Sequence, residues 1–363
     1  MKKTSVNTPP PQLCIGIDMG DRHSQFAVLD RETAEVLEEG RIASTPRAFE
    51  QRFGGLARTR IALEVGSHSR WSSKLLEKAG HEVIVANAYK LRLISCNDKK
   101  SDRTDALYLA RLAAADPQLL HPLKHRSGKA QADRCILVAR DRLVGCRTKL
   151  INSIRGMVKT TGARLPSCAT SVFHNRVHES VPAELRPAIG PLLKTLAFFH
   201  AQIRKYDKVL EKKVERDHPA AKHLMQVDSV GPLTALNYVL TIDDPERFKN
   251  SRSVGSFVGL RPKERSSGKS DPQLRISKAG DAMLRRHLVQ CAQRMLGPFG
   301  KDSDLRRWGL KLASRGGKSA KKRAVVAVSR KLAVLLHRLW VSGEEYEPLR
   351  CNTRKGAGTA QTA

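Results

Sequence analysis

Apolar and polar positions alternate in short bursts at the start of the chain. QLCIGID (12–18), QFAVLD (25–30) and EVLEEGRI (35–42) carry the period-two spacing of strands and are separated by turn residues, which predicts a three-strand meander. A short helix is expected after Pro46. A fourth strand follows at RIALEV (60–65), then a helix from 69 to 79, a fifth strand at EVIVA (82–86) and a helix beginning near Ser101. Farther on the period changes. Paired apolar residues recur every seven positions at Ile136 and Leu137, Leu143 and Val144, Leu150 and Ile151, and Met157 and Val158. Leu196, Phe199, Ile203, Tyr206 and Leu210 repeat the pattern in steps of three and four. Two long seamed helices are predicted, forming a hairpin or coiled coil that pairs internally or between protomers. Residues 222–345 read as mainly helical, with amphipathic segments at 281–296 and 320–340.

Three antiparallel strands followed by alternating helix and strand define an α/β unit with a mixed sheet, in the order of a ribonuclease H-like fold. The expected organisation is therefore α/β then α. It comprises a disordered N-terminus (1–11), an RNase H-like domain (12–120), a helical hairpin or coiled-coil linker (125–218), a helical domain (222–345) and a disordered tail (346–363).

Charge divides the chain along the same line. Of 363 residues, 66 are Lys or Arg and 35 Asp or Glu, a formal charge of +31. Residues 12–116 hold 16 basic and 15 acidic side chains, whereas residues 117–363 carry +28. A neutral, carboxylate-rich third is joined to a cationic remainder, which predicts polyanion binding by the second part. Aromatics make up 5% of the chain, too few for extensive base stacking, so contacts to backbone and shape are favoured. No apolar run is long enough for a membrane span, and MKKTSVNTPPPQ has prolines where a signal peptide has its apolar segment; a cytoplasmic, nucleoid-associated protein is expected. The seven cysteines form no close pair, as suits a reducing compartment.

Four carboxylates are candidates for a metal site. Asp18 ends the first strand and Glu64 the fourth, while Asp102 and Asp105 lie three apart at a helix start. Hard oxygen ligands from separate elements are what Mg²⁺ or Mn²⁺ requires, and such ions clamp the oxygens of a phosphoryl transfer. Taken singly, each acid has an ordinary explanation: a strand end, a helix N-cap, an ion pair. A second feature is GLRPKERSSGKSDPQLRISKAG (259–280), in which Ser266 and Ser267 precede Gly268 among Arg261, Lys263, Arg265, Lys269, Arg275 and Lys278; Arg285 and Arg286 follow on the next helix. A serine near a metal-bound phosphate can become a nucleophile. The residues alone favour a flexible basic loop with turn-forming serines. The two GKS strings lack the upstream glycine of a P-loop.

The segments GIDMG, ALEVGSHSRW and KKSDRTDALYLAR, followed by VGPLTALNYVLTIDDPERFKNSRSVGSFVGLRPKERSSGKS and RISKAGDAMLRRHLVQCA, resemble the transposases of the IS110 insertion-sequence family over about residues 12–300. The resemblance implies a RuvC-like domain whose DEDD set falls on Asp18, Glu64, Asp102 and Asp105, a coiled-coil linker, and a helical domain with a nucleophilic serine at Ser267, Ser266 being the reserve. It implies DNA as substrate, a structured guide RNA, and a homodimer or tetramer. The alternatives are a metal-dependent junction-resolving endonuclease that uses water, and a non-catalytic nucleic-acid scaffold. Two positions depart from the family pattern: DSVGP (228–232) stands where a PGIG-type hairpin is common, and one glycine follows the serine where two are common.

Overall fold

The computed structural model describes residues 11–88, 90, 91, 101–268, 270, 272 and 274–350. Lys269, the N-terminus to residue 10 and the tail from 351 lie outside the described residues. Two compact units divide the chain, Met1–His125 and Arg126–Ala363.

The first unit is an α/β sandwich around five strands: β1 (Leu13–Asp18), β2 (His23–Asp30), β3 (Val36–Ala43), β4 (Arg60–Glu64) and β5 (Glu82–Ala86). Their order is β3-β2-β1-β4-β5. The first three strands form an antiparallel meander, and β1–β4 and β4–β5 are parallel, so the sheet is mixed. Central β1 buries Cys14, Ile15, Gly16 and Ile17 on both faces. Edge strand β3 carries Glu38, Glu39 and Arg41, charges that discourage edge-to-edge pairing.

Side-chain alternation assigns the two faces. Ile15, Ile17, Ile61 and Leu63 pack with Phe49 and Phe53 of α1 (Pro46–Phe53) and Leu76 of α2 (Ser69–Lys78). The opposite face receives α3 (Asp102–Ala115), whose Leu109 and Ala113 cluster with Ala62 and Ile84. Small residues set this contact: a Cβ at Gly16 would lie 2.0 Å from the Ala106 carbonyl oxygen and 2.4 Å from the Ala110 nitrogen.

The second unit is helical. Its long helices α4 (Gly128–Lys159) and α6 (Arg186–Arg216) flank the short α5 (Phe173–Arg176) and pack antiparallel, as the cross-pairs Asp133–Lys213 and Arg140–Asp207 show. At the tip Ile151, Ile154, Phe173, Ile189 and Leu193 share a cluster. At the base Leu137 and Leu210 join the core built on α8 (Pro232–Ile242), α10 (Ala282–Leu296) and α12 (Ala320–Ser342). Shorter helices α7 (Pro219–Leu224), α9 (Arg252–Phe257) and α11 (Asp304–Ala313) complete the unit. Every residue from Thr234 to Ile242 in α8 is buried, and Tyr238 donates its hydroxyl to the Ala333 carbonyl at 2.5 Å.

Three of the hairpin's basic residues are engaged within the protein. Arg134 pairs with Asp281 and Arg140 with Asp207, while Arg155 donates to the carbonyls of Leu165 and Pro166 and lies over the Phe173 ring. Counting charge along a helix misses the acids and carbonyls that tertiary packing brings against it. Among the described residues no helix is long and apolar enough to cross a membrane.

Candidate catalytic and nucleic-acid-binding sites

Register and alternation bring the four predicted carboxylates to one end of the first unit. Ile17 is level with Leu63 across the parallel β1–β4 pair, so Asp18 is level with Glu64 one step on. Gly16 and Ala62 both face α3, and the same alternation turns Asp18 and Glu64 toward that layer. The direction of α3 follows from two contacts. Arg60, at the start of β4, donates to the Ala113 carbonyl at 3.1 Å, whereas Gly16, farther along β1, lies under Ala106. The helix therefore runs against the strands, and its first turn, with Asp102 and Asp105, falls at the strand ends that carry Asp18 and Glu64.

Ser101 caps α3, its hydroxyl accepting from Thr104 N at 3.2 Å, so Asp102 is not the N-cap. Asp105 is buried, Asp102 exposed, and Asp18 and Glu64 are half-buried. Neighbouring Arg103 bonds Glu39 of β3 and holds that carboxyl below its ordinary range. Among the described residues no three His, Cys, Asp or Glu side chains stand close enough to hold a metal ion. The four carboxylates come from three elements at one end of the sheet and are hard oxygen donors, the chemistry a divalent cation prefers, without being drawn into one cluster.

One side chain at this end was not singled out from the sequence. Trp71 donates its indole N–H to His68 Nδ1 at 3.0 Å, and because indole can only donate, the His68 proton is on Nε2, 3.7 Å from Asp21. The signal was present as the i, i+3 pair in GSHSRW, at the entrance to α2.

In the second unit, the described residues between 259 and 278 are tied by backbone bonds and two isolated bridges into a paired excursion rather than an unstructured loop. Its base is tied by Lys278 N to the Gly259 carbonyl (3.1 Å), Ser277 N to Arg261 (2.8 Å) and Lys263 N to Arg275 (2.9 Å). Gly259, at φ 76°, has no room for a Cβ, which would stand 2.7 Å from Ala279 N. At the tip Ser267 and Ser270 exchange backbone hydrogen bonds of 3.1 and 3.0 Å around Gly268, whose φ of 54° is the left-handed conformation of a tight turn.

Ser267 and Ser266 are exposed, as are Lys263, Arg265, Arg275 and Lys278. Arg261 is paired with Glu264. The two arginines on α10 are engaged within the protein: Arg285 donates to the carbonyls of Val258 (3.0 Å) and Gly280 (3.2 Å), and Arg286 pairs with Asp141 at 2.5 Å. Asp281 caps α10 through Leu284 N at 2.8 Å.

Both regions fall within known transposase families. Residues 15–162, which include all four carboxylates, match the DEDD transposase family of IS110 type, and residues 221–303, which include the serine excursion, match the transposase IS116/IS110/IS902 family. The transposase for insertion sequence element IS1111A of Coxiella burnetii is 31% identical over 258 residues, covering 68% of each chain. A Sinorhizobium fredii protein is 30% identical over 316 residues, 84% of this chain and 77% of its own. The transposase for insertion sequence element IS1328 of Yersinia enterocolitica is 26% identical over 237 residues, 64% of this chain and 70% of its own. The fold and these matches define a DNA transposase with a DEDD-type domain, a class that depends on a divalent metal and has DNA as its partner. The chain belongs to the IS116/IS110/IS902 transposase family.

Proposed function

We propose that this transposase is a site-specific recombinase that moves an insertion sequence by serine attack on DNA phosphates. The observation that carries this reading is the placement of Ser267: exposed, at the head of a tight turn, in a segment whose Lys263, Arg265 and Arg275 are also exposed, and inside the matched family segment. Its hydroxyl oxygen forms a bond to the scissile phosphorus and gives up its proton, the bond to the 3′ oxygen breaks, and that oxygen is protonated. The products are a 5′-phosphoserine link and a free 3′-hydroxyl. Attack by another strand's 3′-hydroxyl on the phosphoserine rejoins DNA and restores the serine. Ser266 is the reserve nucleophile. The cations on the excursion, Lys269 included, hold and neutralise the phosphate.

Asp18, Glu64, Asp102 and Asp105 would hold Mg²⁺ or Mn²⁺, which when bound supplies charge stabilisation to the phosphoryl group. In this reading residues 12–120 form a RuvC-like, RNase H-like catalytic domain, 125–218 a coiled-coil linker and 222–345 the serine-bearing domain. A structured guide RNA directs site choice, and a dimer or tetramer performs the exchange in the nucleoid. The mixed sheet order and the localised positive charge support this assignment.

A denaturing gel tests the reading. Ser267→Ala is expected to abolish a covalent protein–DNA adduct while leaving folding and DNA binding intact. An adduct that persists removes Ser267 from the mechanism. Cleavage that gives free 5′-phosphates without an adduct, and that survives Ser267→Ala, identifies a water-using nuclease.

A further inference from the structure

The seam between α4 and α6 contains three polar layers spaced seven residues apart. In the first, Asp133 accepts from Lys213 Nζ at 2.7 Å and lies 2.8 Å from His218 Nε2. In the second, Arg140 Nε donates to Asp207 Oδ1 at 2.7 Å. The same antiparallel register sets Arg147 against His200 in the third, and beyond it Ile154 and Leu193 return the seam to apolar packing.

The third layer has the cation of its predecessors but not their acid. Arg147 Nε and His200 Nδ1 are both shut off from water with no hydrogen-bond partner among the described residues. His174 of α5 adds a second imidazole, its ring 6.1 Å from that of His200, and Arg204 is one turn along α6. Asp207 is already bonded to Arg140. Both side chains are half-buried as a whole, so other atoms of Arg147 and His200 reach solvent, and a ligand's approach to the two shielded nitrogens requires a small shift of the imidazole ring and the guanidinium. Burial, reinforced by the charges of His174, Arg147 and Arg204 and opposed by Asp207, lowers the His200 pKa. A layer with a guanidinium, two imidazoles, no acid of its own and unmet polar atoms has the chemistry to take an oxyanion.

We infer that the Arg147–His200 layer is a binding site for a backbone phosphate of the nucleic acid that the transposase engages. The inference rests on reading the second unit as the nucleic-acid holder, but not on serine chemistry. A phosphodiester supplies the acceptor oxygens that Asp133 and Asp207 supply in the first two layers. Because a protonated imidazole donates from both nitrogens, binding takes up a proton at His200 and strengthens as pH falls. His174, Arg147, Arg204 and Asp207 are the charged and titratable groups acting on that ring from the surrounding helices.

The test uses the full chain and inorganic phosphate as the first probe. The His200 ring resonance, assigned by its loss in His200→Gln, is expected to titrate at higher pH when phosphate replaces chloride at equal ionic strength. An identical titration in both salts means a layer that holds water only and overturns the inference. The second arm measures affinity for a DNA duplex and an RNA duplex of the same sequence. His200→Glu, which supplies the missing acid, is expected to melt higher than the parent and to bind about tenfold more weakly to one or both; loss confined to one duplex identifies which nucleic acid supplies the phosphate. Unchanged affinity for both overturns the site. A change of oligomeric state with unchanged affinity assigns the layer to a partner's carboxylate instead and also overturns it. Should His200→Glu not fold, Arg147→Gln carries the same affinity comparison. The adduct formed by Ser267 is scored separately, so loss of the phosphate site and loss of the serine reading give different results.

Discussion

Gly16 of β1 lies directly beneath Ala106 of α3, leaving 2.0 Å between the position of a Cβ and the Ala106 carbonyl oxygen. That approach sets how closely the helix bearing Asp102 and Asp105 meets the strand bearing Asp18. Gly16→Val is expected to lift α3, lower stability by about 3 kcal/mol and abolish recombination. Gly66→Ala is the control, since a Cβ there meets nothing within 4 Å, and it should leave both thermal unfolding and recombination unchanged.

Gly268 poses the opposite case. Its surroundings are open, so only the backbone conformation constrains it. A β-branched residue in the left-handed region costs roughly 1–2 kcal/mol, whereas asparagine tolerates it. Gly268→Val is therefore expected to slow adduct formation at Ser267 and to lower the melting temperature by no more than a few degrees, and Gly268→Asn to retain most of the rate. Equal rates for the two variants would show that the turn does not position the serine.

The strands were legible because alternation survives in short segments: β4 and β5 fall at Arg60–Glu64 and Glu82–Ala86, beside the expected 60–65 and 82–86. β4 pairs in parallel with β1, the neighbour that a ribonuclease H-like order implies. What sequence spacing does not encode is which side chains meet across elements. Gly16 reads as one more position of the strand QLCIGID, and only the layer above it shows that it seats a helix. Arg140 and Arg147 look alike on a helical wheel, yet Asp207 stands opposite one and His200 opposite the other. The serine segment had a similar fate. Its glycines and prolines suggest a loop, and the backbone bonds that make it a hairpin are independent of side-chain pattern.

Two kinds of cation lie on the serine hairpin and on the helix that follows it, and they should separate in solution. Lys263, Arg265 and Arg275 are exposed, whereas Arg285 holds the carbonyls of Val258 and Gly280. Alanine at any one of the first three is expected to weaken DNA binding and reduce the salt slope by about one, with little change in melting temperature. Arg285→Ala should instead cost about 2 kcal/mol of stability through its lost carbonyl contacts. Melting curves and DNA titrations at several salt concentrations distinguish the two classes.

His287, on the helix that follows the serine hairpin, makes the second unit sensitive to acid. Its Nδ1 accepts a hydrogen bond from Asn237 at 3.2 Å, which requires the neutral ring. Burial, with the positive charge of Arg286 next in weight, lowers its pKa to about 4. A histidine whose folded pKa lies below its unfolded value favours the native state when neutral, so this contribution is complete above about pH 6.5 and is lost as pH falls toward about 4. The contribution is on the order of 3 kcal/mol at neutral pH, and the slope of stability against pH in that window corresponds to up to one proton taken up on unfolding. His287→Gln can keep an acceptor for Asn237 while removing the titration, so its stability should vary less between pH 7 and pH 4 than that of the parent. Denaturant unfolding at several pH values, with the His287 ring followed by NMR, checks both parts. A ring that titrates near pH 6.5 in the folded protein would show that burial does not set its charge.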